Sequence, residues 1–183
     1  MARVPLDIQG KGLLVRLAGW YSTRKYGKIL EPLAAASPHP GVLAATGLLE
    51  LGAQRWWHRL DPTLHCLAVQ MASAQIGCSW CLDFGYWEAH HKGVDPAKIR
   101  DVPHWRDSDV YSPVERLVLE YAEAMTVTPP TVTDELVARL REHLDDAQFV
   151  ELTALVSVEN LRSRTNAALG LESQGFKAIC EVR

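Results

Sequence analysis

The chain has 183 residues, of which 48% are hydrophobic and 22% charged, and its formal net charge is −3. That length suits one sizeable domain and is short for two, so we predict a single domain over 1–183. The small negative charge gives no basic surface for nucleic acid or an anionic membrane, and no apolar run approaches the about 20 residues of a membrane-spanning helix, so we expect neither partner.

The first helical pattern lies near the N-terminus. The apolar residues Leu13, Leu14, Leu17 and Tyr21 are spaced as on one helix face and predict a helix over 12–26. A proline- and glycine-rich interruption follows at 37–41, and a second helix is expected to start at Pro40. Asp61 followed by Pro62 is typical of a helix N-cap, and it predicts a third, strongly apolar helix.

The remaining elements are also helical in pattern. Gly77 should end the third helix and Cys78 should begin the next, which runs to about Gly93. A short helical turn and a loop over 102–111 precede a capping box at 112–115 and two further helices, and a long helix covers about 145–170. No segment alternates with a period of two. The sequence therefore predicts an all-α fold of about seven or eight helices.

Two of the four cysteines, Cys78 and Cys81, form a C-x-x-C pair at a predicted helix start. Residues three apart lie one turn apart on the same face, which suits a disulfide with Cα atoms roughly 5.5–6 Å apart. Backbone N–H groups at a helix start favour a thiolate. No signal peptide or secreted disulfide framework is evident, so we expect a cytoplasmic protein with a redox-active pair.

Two other interpretations of the pair are open at this point. A zinc site would need two more ligands, which His90 or His91 and Cys66 or His65 could supply, although no second C-x-x-C motif exists. The cysteines could also be inert, buried side chains. Redox function is the favoured interpretation, and we expect no bound metal and no cofactor, because the phosphate-binding and dinucleotide-binding motifs are missing from the sequence.

These features together resemble a known family. A capped apolar helix, the segment Cys-Ser-Trp-Cys-Leu-Asp-Phe-Gly at 78–85, and the stretch Glu159 to Asn166 on the last long helix are similar to the carboxymuconolactone decarboxylase family. The likeness is to its alkyl hydroperoxide reductase D (AhpD)-like branch. It implies a helical fold assembled as an oligomer and an antioxidant role in which the pair reduces peroxides or exchanges disulfides. By the resemblance, Cys81 attacks the peroxide and Cys78 resolves it.

The chain departs from the peroxidase pattern at two positions. The family places a glutamate twelve residues before the first cysteine and a histidine four after the second, and these positions hold Cys66 and Gly85 here. The proton relay for Cys81 is therefore absent as written. The order of attack is open, because helix-start electrostatics alone favour Cys78 as the more acidic thiol.

Three polar side chains near the pair are candidate supporting residues. Asp83 could raise the pKa of a neighbouring thiol, but it is more simply an acid in the first helical turn. His65 and Cys66 on the preceding helix could approach the pair if the two helices pack closely. A boundary histidine and a small buried hydrophobe are the alternative interpretations.

Aromatic side chains flank the pair. We expect Trp80, Phe84 and Trp87 first of all to pack in the core or at a subunit interface. An apolar wall of a substrate site is the second interpretation. On the last long helix Glu159, Asn160 and Arg164 are polar, and we expect them to pair with a facing helix or subunit.

The sequence leads to two functional hypotheses. The first is a homo-oligomeric (dimer, trimer or hexamer) thiol–disulfide oxidoreductase, with peroxidase activity as its family-implied form. Its substrate would be a small hydroperoxide or disulfide, and its reductant a protein or small thiol. The second is a non-catalytic helical oligomer in which the pair senses redox state or the protein binds a partner.

Overall fold

Capping residues set many of the helix boundaries of this chain. The computed structural model describes residues 1–181, and their regular structure is helical, with no strand. The all-α prediction is confirmed. The described residues form ten α-helices, two more than the upper expectation, because the six-residue helices Glu31–Ala36 and Phe176–Glu181 are too short to show a period. None of these helices combines the length and apolar character needed to cross a bilayer.

The backbone divides into two compact units, the first of which comprises Met1–Trp57 and Ala168–Glu172. Its helices are α1 (Leu13–Tyr26), α2 (Glu31–Ala36) and α3 (Pro40–Trp56). The Arg3 N–H donates to the Leu169 carbonyl at 2.8 Å, which ties the N-terminal segment to 168–172. The assignment of the whole chain to one domain stays a prediction.

Helices α1 and α3 carry large apolar side chains that are exposed in this chain. They are Leu13, Leu17, Trp20, Leu48, Leu51 and Trp56. Exposed apolar patches are common where proteins associate. The predicted homo-oligomer stays a prediction.

The second unit comprises His58–Ala167 and the described residues from Ser173 onward, and it contains both cysteines of the pair. Its helices are α4 (Pro62–Ile76), α5 (Ser79–His91), α6 (Pro96–Asp101), the 3-10 turn Val102–His104, α7 (Pro113–Thr126), α8 (Asp134–Arg141), α9 (Asp146–Ala168) and α10 (Phe176–Glu181). Helix α4 is the centre of the core, since Leu67, Ala68 and Ala72 are fully buried, as are Leu119 and Ala122 of α7.

The predicted caps of the core helices are confirmed. Asp61 Oδ1 accepts from the Thr63 N–H at 2.8 Å at the start of α4. Ser112 and Glu115 form a reciprocal capping box at the start of α7. These bonds satisfy amide groups that have no partner inside the helix, so they fix where each helix begins.

The turn between α4 and α5 has the geometry that brings the cysteines to a helix start. Gly77 has φ +79°, a left-handed conformation that favours glycine. The Cys78 N–H donates to the Ser73 carbonyl at 3.1 Å and the Gly77 N–H to the Ala74 carbonyl at 3.2 Å, which is a Schellman motif. Cys78 is the N-cap of α5, as predicted.

The C-terminal segment docks on α5 through one carboxylate. Buried Asp83 accepts three backbone hydrogen bonds, from Gln174 at 2.9 Å, Phe176 at 3.0 Å and Lys177 at 2.7 Å. The Phe176 side chain is fully buried and meets the Phe84 ring edge-on at 5.2 Å. Asp83 therefore holds the beginning of α10 in place.

We expect Asp83→Ala to lower the free energy of unfolding by about 2–4 kcal/mol, because three N–H groups lose a charged acceptor. Urea denaturation measures the change, and Asp109→Ala, at an exposed loop aspartate, is the control. An equally small loss in both variants would contradict the anchoring role.

Candidate functional site

The two cysteines of the motif are joined to each other. Cys78 and Cys81 form a disulfide with their Cα atoms 5.3 Å apart. This confirms that the sulfurs are close neighbours at the start of α5. The other two cysteines, Cys66 and Cys180, are thiols outside this disulfide.

Each sulfur of the disulfide accepts a hydrogen bond. Cys78 Sγ accepts from the Cys81 N–H at 3.2 Å, and Cys81 Sγ accepts from the Asn166 amide, Nδ2, at 3.4 Å. The two cysteines are 2% and 5% exposed, whereas Gly77 and Ser79 beside them are exposed. The pair is therefore almost buried, but its immediate partners are polar and the turn that carries it faces solvent.

A buried carboxylate lies on the same face of α9 as Asn166. Glu159 Oε1 accepts from Ser73 Oγ at 2.8 Å and from Ser163 Oγ at 2.7 Å, and Oε2 lies 3.3 Å from Arg162 Nη1. Burial raises the pKa of Glu159 above its ordinary value, while Arg162 and the two serines oppose that rise. The contact with Ser73 joins α9 to the end of α4, next to the cysteine turn.

The other polar residues of α9 contact a different helix. Asn160 Nδ2 donates to Thr126 Oγ1 at 2.9 Å, and Arg164 Nη2 donates to the Thr126 carbonyl at 2.9 Å and to Thr128 Oγ1 at 3.3 Å. Asn160 and Arg164 therefore pair with the end of α7, which confirms the expected facing-helix role. Glu159 instead contacts Ser73 of α4.

Gly85 leaves space that a glutamine fills. A Cβ built at Gly85 would lie 2.8 Å from Gln70 Nε2, and Gln70 Nε2 donates to the Leu82 carbonyl at 3.3 Å. Buried Gln70 of α4 thus packs against α5 where a side chain at position 85 would begin. The histidine implied by the resemblance has no room in this packing.

Cys66 and His65 lie towards the other end of the α4–α5 hairpin. Cys66 is ten residues before Ile76, which corresponds to about 15 Å along the helix axis. Both residues have Lys92 and Glu88, at the C-terminal end of α5, among their charged neighbours. The structure therefore does not bring either residue next to the pair, and a supporting role for them stays a prediction.

Burial sets the ionisation of both residues. It lowers the pKa of His65 to about 4, with Lys92 adding to that effect and Glu88 opposing it. It raises the pKa of the Cys66 thiol to about 12, against the smaller effect of Lys92. At neutral pH His65 is an uncharged boundary residue and Cys66 a small hydrophobe, which are the alternative interpretations given for them above.

Asp83, Trp80 and Phe84 belong to the docking surface for the C-terminal segment. Trp80 Nε1 donates to Gln174 Oε1 at 2.8 Å, and the Trp80 and Phe84 rings stack at 5.1 Å. At 100° per residue this face of α5 lies away from Cys81 and Gly85. Trp80 and Phe84 thus pack within the chain, which is the first role expected for them, and Asp83 binds backbone amides. A role of these three residues at the thiols stays a prediction.

Sequence reasoning missed Asn166, Ser163 and Ser73. Glu159, Ser163 and Asn166 follow the i, i+4, i+7 spacing of one helical face, and all three are buried. That spacing is the sequence signal that could have identified these residues. Glu159, Asn160 and Arg164, in contrast, lie on two different faces of α9. Residues 1–181 contain no cluster of three or more histidine, cysteine, aspartate or glutamate side chains able to hold a metal ion.

Comparison with known proteins decides the family. Residues 43–124 match the carboxymuconolactone decarboxylase family. The uncharacterized protein YnjA of Escherichia coli (strain K12) is 34% identical over 171 residues, covering 93% of this chain and 94% of that protein. The chain belongs to the carboxymuconolactone decarboxylase family. The predicted resemblance is thereby confirmed.

Solved structures support the assignment of this chain to the AhpD-like branch of the family. An Agrobacterium tumefaciens protein of unknown function, proposed to be the antioxidant defence protein AhpD, is 27% identical with a TM-score of 0.70, covering 75% of this chain and 94% of that one. The debrominase Bmp8, solved as a cysteine-to-alanine variant with 2,3,4-tribromopyrrole, has a TM-score of 0.83 at 16% identity, covering 100% of this chain and 98% of Bmp8. The likeness to Bmp8 shows the fold alone.

The contact between Gln70 and Gly85 can be tested by a double-mutant cycle. Gly85→Ala should destabilise the chain by about 1–3 kcal/mol, because the Gln70 amide must move and lose Leu82. In a Gln70→Ala background the same change should cost much less. Gly47→Ala, at a helical glycine with no atom within 4 Å of the added Cβ, should instead stabilise by about 0.5–1 kcal/mol. Equal costs in both backgrounds would refute the contact.

The lowered pKa of His65 predicts a pH-dependent stability. Between about pH 6.5 and about 4 the unfolded chain binds a proton that folded His65 does not, so the free energy of unfolding falls as the pH falls through that window. His65→Gln should reduce this slope. Urea midpoints measured across the window check the prediction, and an unchanged slope would contradict it.

Proposed function

We propose that the chain is a thiol–disulfide oxidoreductase that cycles Cys78 and Cys81 between dithiol and disulfide. The disulfide at the start of α5 is the observation that carries the proposal. Helix-start amides favour a thiolate, and two sulfurs one turn apart can form a bond without moving the backbone far.

The surroundings of the pair favour a regulated exchange over an inert crosslink. Both sulfurs accept hydrogen bonds, so a thiolate formed on either one has a donor in place. The flanking residues Gly77 and Ser79 are exposed, which offers a route from solvent after a small local opening of the turn.

Disulfide exchange is better supported than peroxide reduction. The positions that the family uses for its glutamate and histidine hold Cys66 and Gly85. Cys66 lies about 15 Å from the end of α4, and Gln70 fills the space next to Gly85. In disulfide exchange the attacking thiol of the substrate can ionise by itself. The peroxidase reaction of the family depends on a proton relay whose glutamate and histidine are missing here.

A redox sensor without turnover is the second candidate. The near-complete burial of both cysteines and the missing relay favour it, since a slow, stoichiometric exchange requires only rare opening of the turn and no assisting base. In that case the disulfide would report the redox state to a binding partner.

Turnover assays separate the two functions. Under denaturing conditions the wild-type chain should titrate two thiols before reduction and four after it, since two of its four cysteines are thiols outside the disulfide. It should then reduce a low-molecular-weight disulfide repeatedly with a dithiol as electron donor. Cys78→Ser and Cys81→Ser should each lose at least about 100-fold in rate, because neither can close the disulfide.

Cys180→Ser is the matched control and should retain the wild-type rate. Stoichiometric oxidation without repeated turnover would support the sensor instead. Unchanged turnover in both motif variants would remove the proposal, and fast turnover of hydroperoxide by the wild type would restore the peroxidase form.

A further inference from the structure

Cys81 has a side-chain hydrogen-bond donor that neither the motif nor the family pattern includes. Asn166 Nδ2 lies 3.4 Å from Cys81 Sγ, and Asn166 is buried on α9. A primary amide donates hydrogen bonds but does not titrate in the range where thiols ionise. Asn166 can therefore stabilise a negative sulfur without taking its proton.

The position of Asn166 is fixed by the contacts of α9. Glu159 and Ser163 lie on the same face of the helix, and Glu159 also accepts from Ser73. The Ser73 carbonyl in turn accepts from the Cys78 N–H at 3.1 Å. One buried residue of α4 thus contacts both the carboxylate of α9 and the turn that holds the disulfide, which sets the register of Asn166 against Cys81.

The direction of attack distinguishes the two sulfurs. An incoming thiolate approaches a disulfide along the line of the S–S bond and expels the far sulfur. Attack on Cys78 expels Cys81, whose sulfur accepts from Asn166, and Cys78 lies between the exposed residues Gly77 and Ser79. Attack on Cys81 would instead expel Cys78, whose sulfur accepts from the backbone N–H of Cys81, and it would be made on the sulfur that Asn166 already contacts.

We propose that Asn166 is a catalytic residue of the disulfide cycle, which holds Cys81 as the leaving thiolate when an external thiolate attacks Cys78. This rests on the proposed function. A bond forms between the external sulfur and Cys78 Sγ, the Cys78–Cys81 bond breaks, and its electron pair goes to Cys81 Sγ, which accepts the Asn166 N–H. A second external thiolate then attacks the external sulfur of the mixed disulfide. Cys78 is released as a thiolate, which takes a proton from solvent, and the two external sulfurs leave as a disulfide.

The site of the mixed disulfide tests the direction of attack. The oxidised wild-type chain is mixed briefly with glutathione, quenched with acid, alkylated and digested for mass spectrometry. The glutathione adduct is expected on Cys78. An adduct mainly on Cys81 would overturn the proposal.

The role of Asn166 is tested on single thiols. In a Cys78→Ser background, the rate at which iodoacetamide alkylates Cys81 is measured against pH, with the labelled site assigned by mass spectrometry. Asn166→Ala should move the midpoint of this profile upward by about 1–2 pH units, the effect of losing one hydrogen bond to a charged group. Asn166→Asp, which is nearly isosteric, should move it further, because a carboxylate opposes the thiolate.

The Cys81→Ser background is the control, because Cys78 accepts from a backbone amide and not from Asn166. There the same substitutions should move the Cys78 midpoint much less. An unchanged Cys81 midpoint, or equal movement for both thiols in variants whose circular dichroism is native, would overturn the role of Asn166 while leaving wild-type turnover intact. Absence of wild-type turnover would instead overturn the proposed function.

Discussion

The geometry of the site depends on the hydrogen bonds and the ion pair made by the buried carboxylate of Glu159. A carboxylate removed from water needs partners, and Glu159 has them in Ser73 of α4 and in Ser163 and Arg162 of its own helix. Nearer the start of α9, Glu151 accepts from the backbone of Arg59 and Leu60. The two carboxylates thus join α9 to the C-terminal part of α4 and to the segment just before that helix.

This attachment connects the core to the chemistry of the pair. Residues Cys66 to Ser73 of α4 are buried, so this part of the helix can shift little, and Gly77 then reverses the chain directly into Cys78. Because α9 is fixed against the same helix, Asn166 arrives beside Cys81. The opposite face of α5 is occupied by Phe176 and the C-terminal segment, so α5 is held from both sides.

The chain shares its fold with a protein of a different described activity and departs from the peroxidase pattern of its own family. The likeness to the debrominase Bmp8 concerns the fold alone. Where the resemblance implies a glutamate and a histidine, this chain has Cys66 and Gly85. The space beside Gly85 is filled, because Gln70 packs where the side chain of residue 85 would begin. A neutral amide on α9 is the group that this chain brings to the second sulfur.

The sequence by itself determined the local features: the helical class, the caps at Asp61 and Ser112, the glycine turn and the closeness of Cys78 to Cys81. Each depends on residues within about one helical turn of one another, where spacing fixes geometry. Tertiary structure alone decided which distant groups meet. It brought Asn166 to Cys81 and the backbone of 174–177 to Asp83, and it left His65 and Cys66 far from the pair. Such contacts depend on how helices pack, and no local spacing encodes that packing.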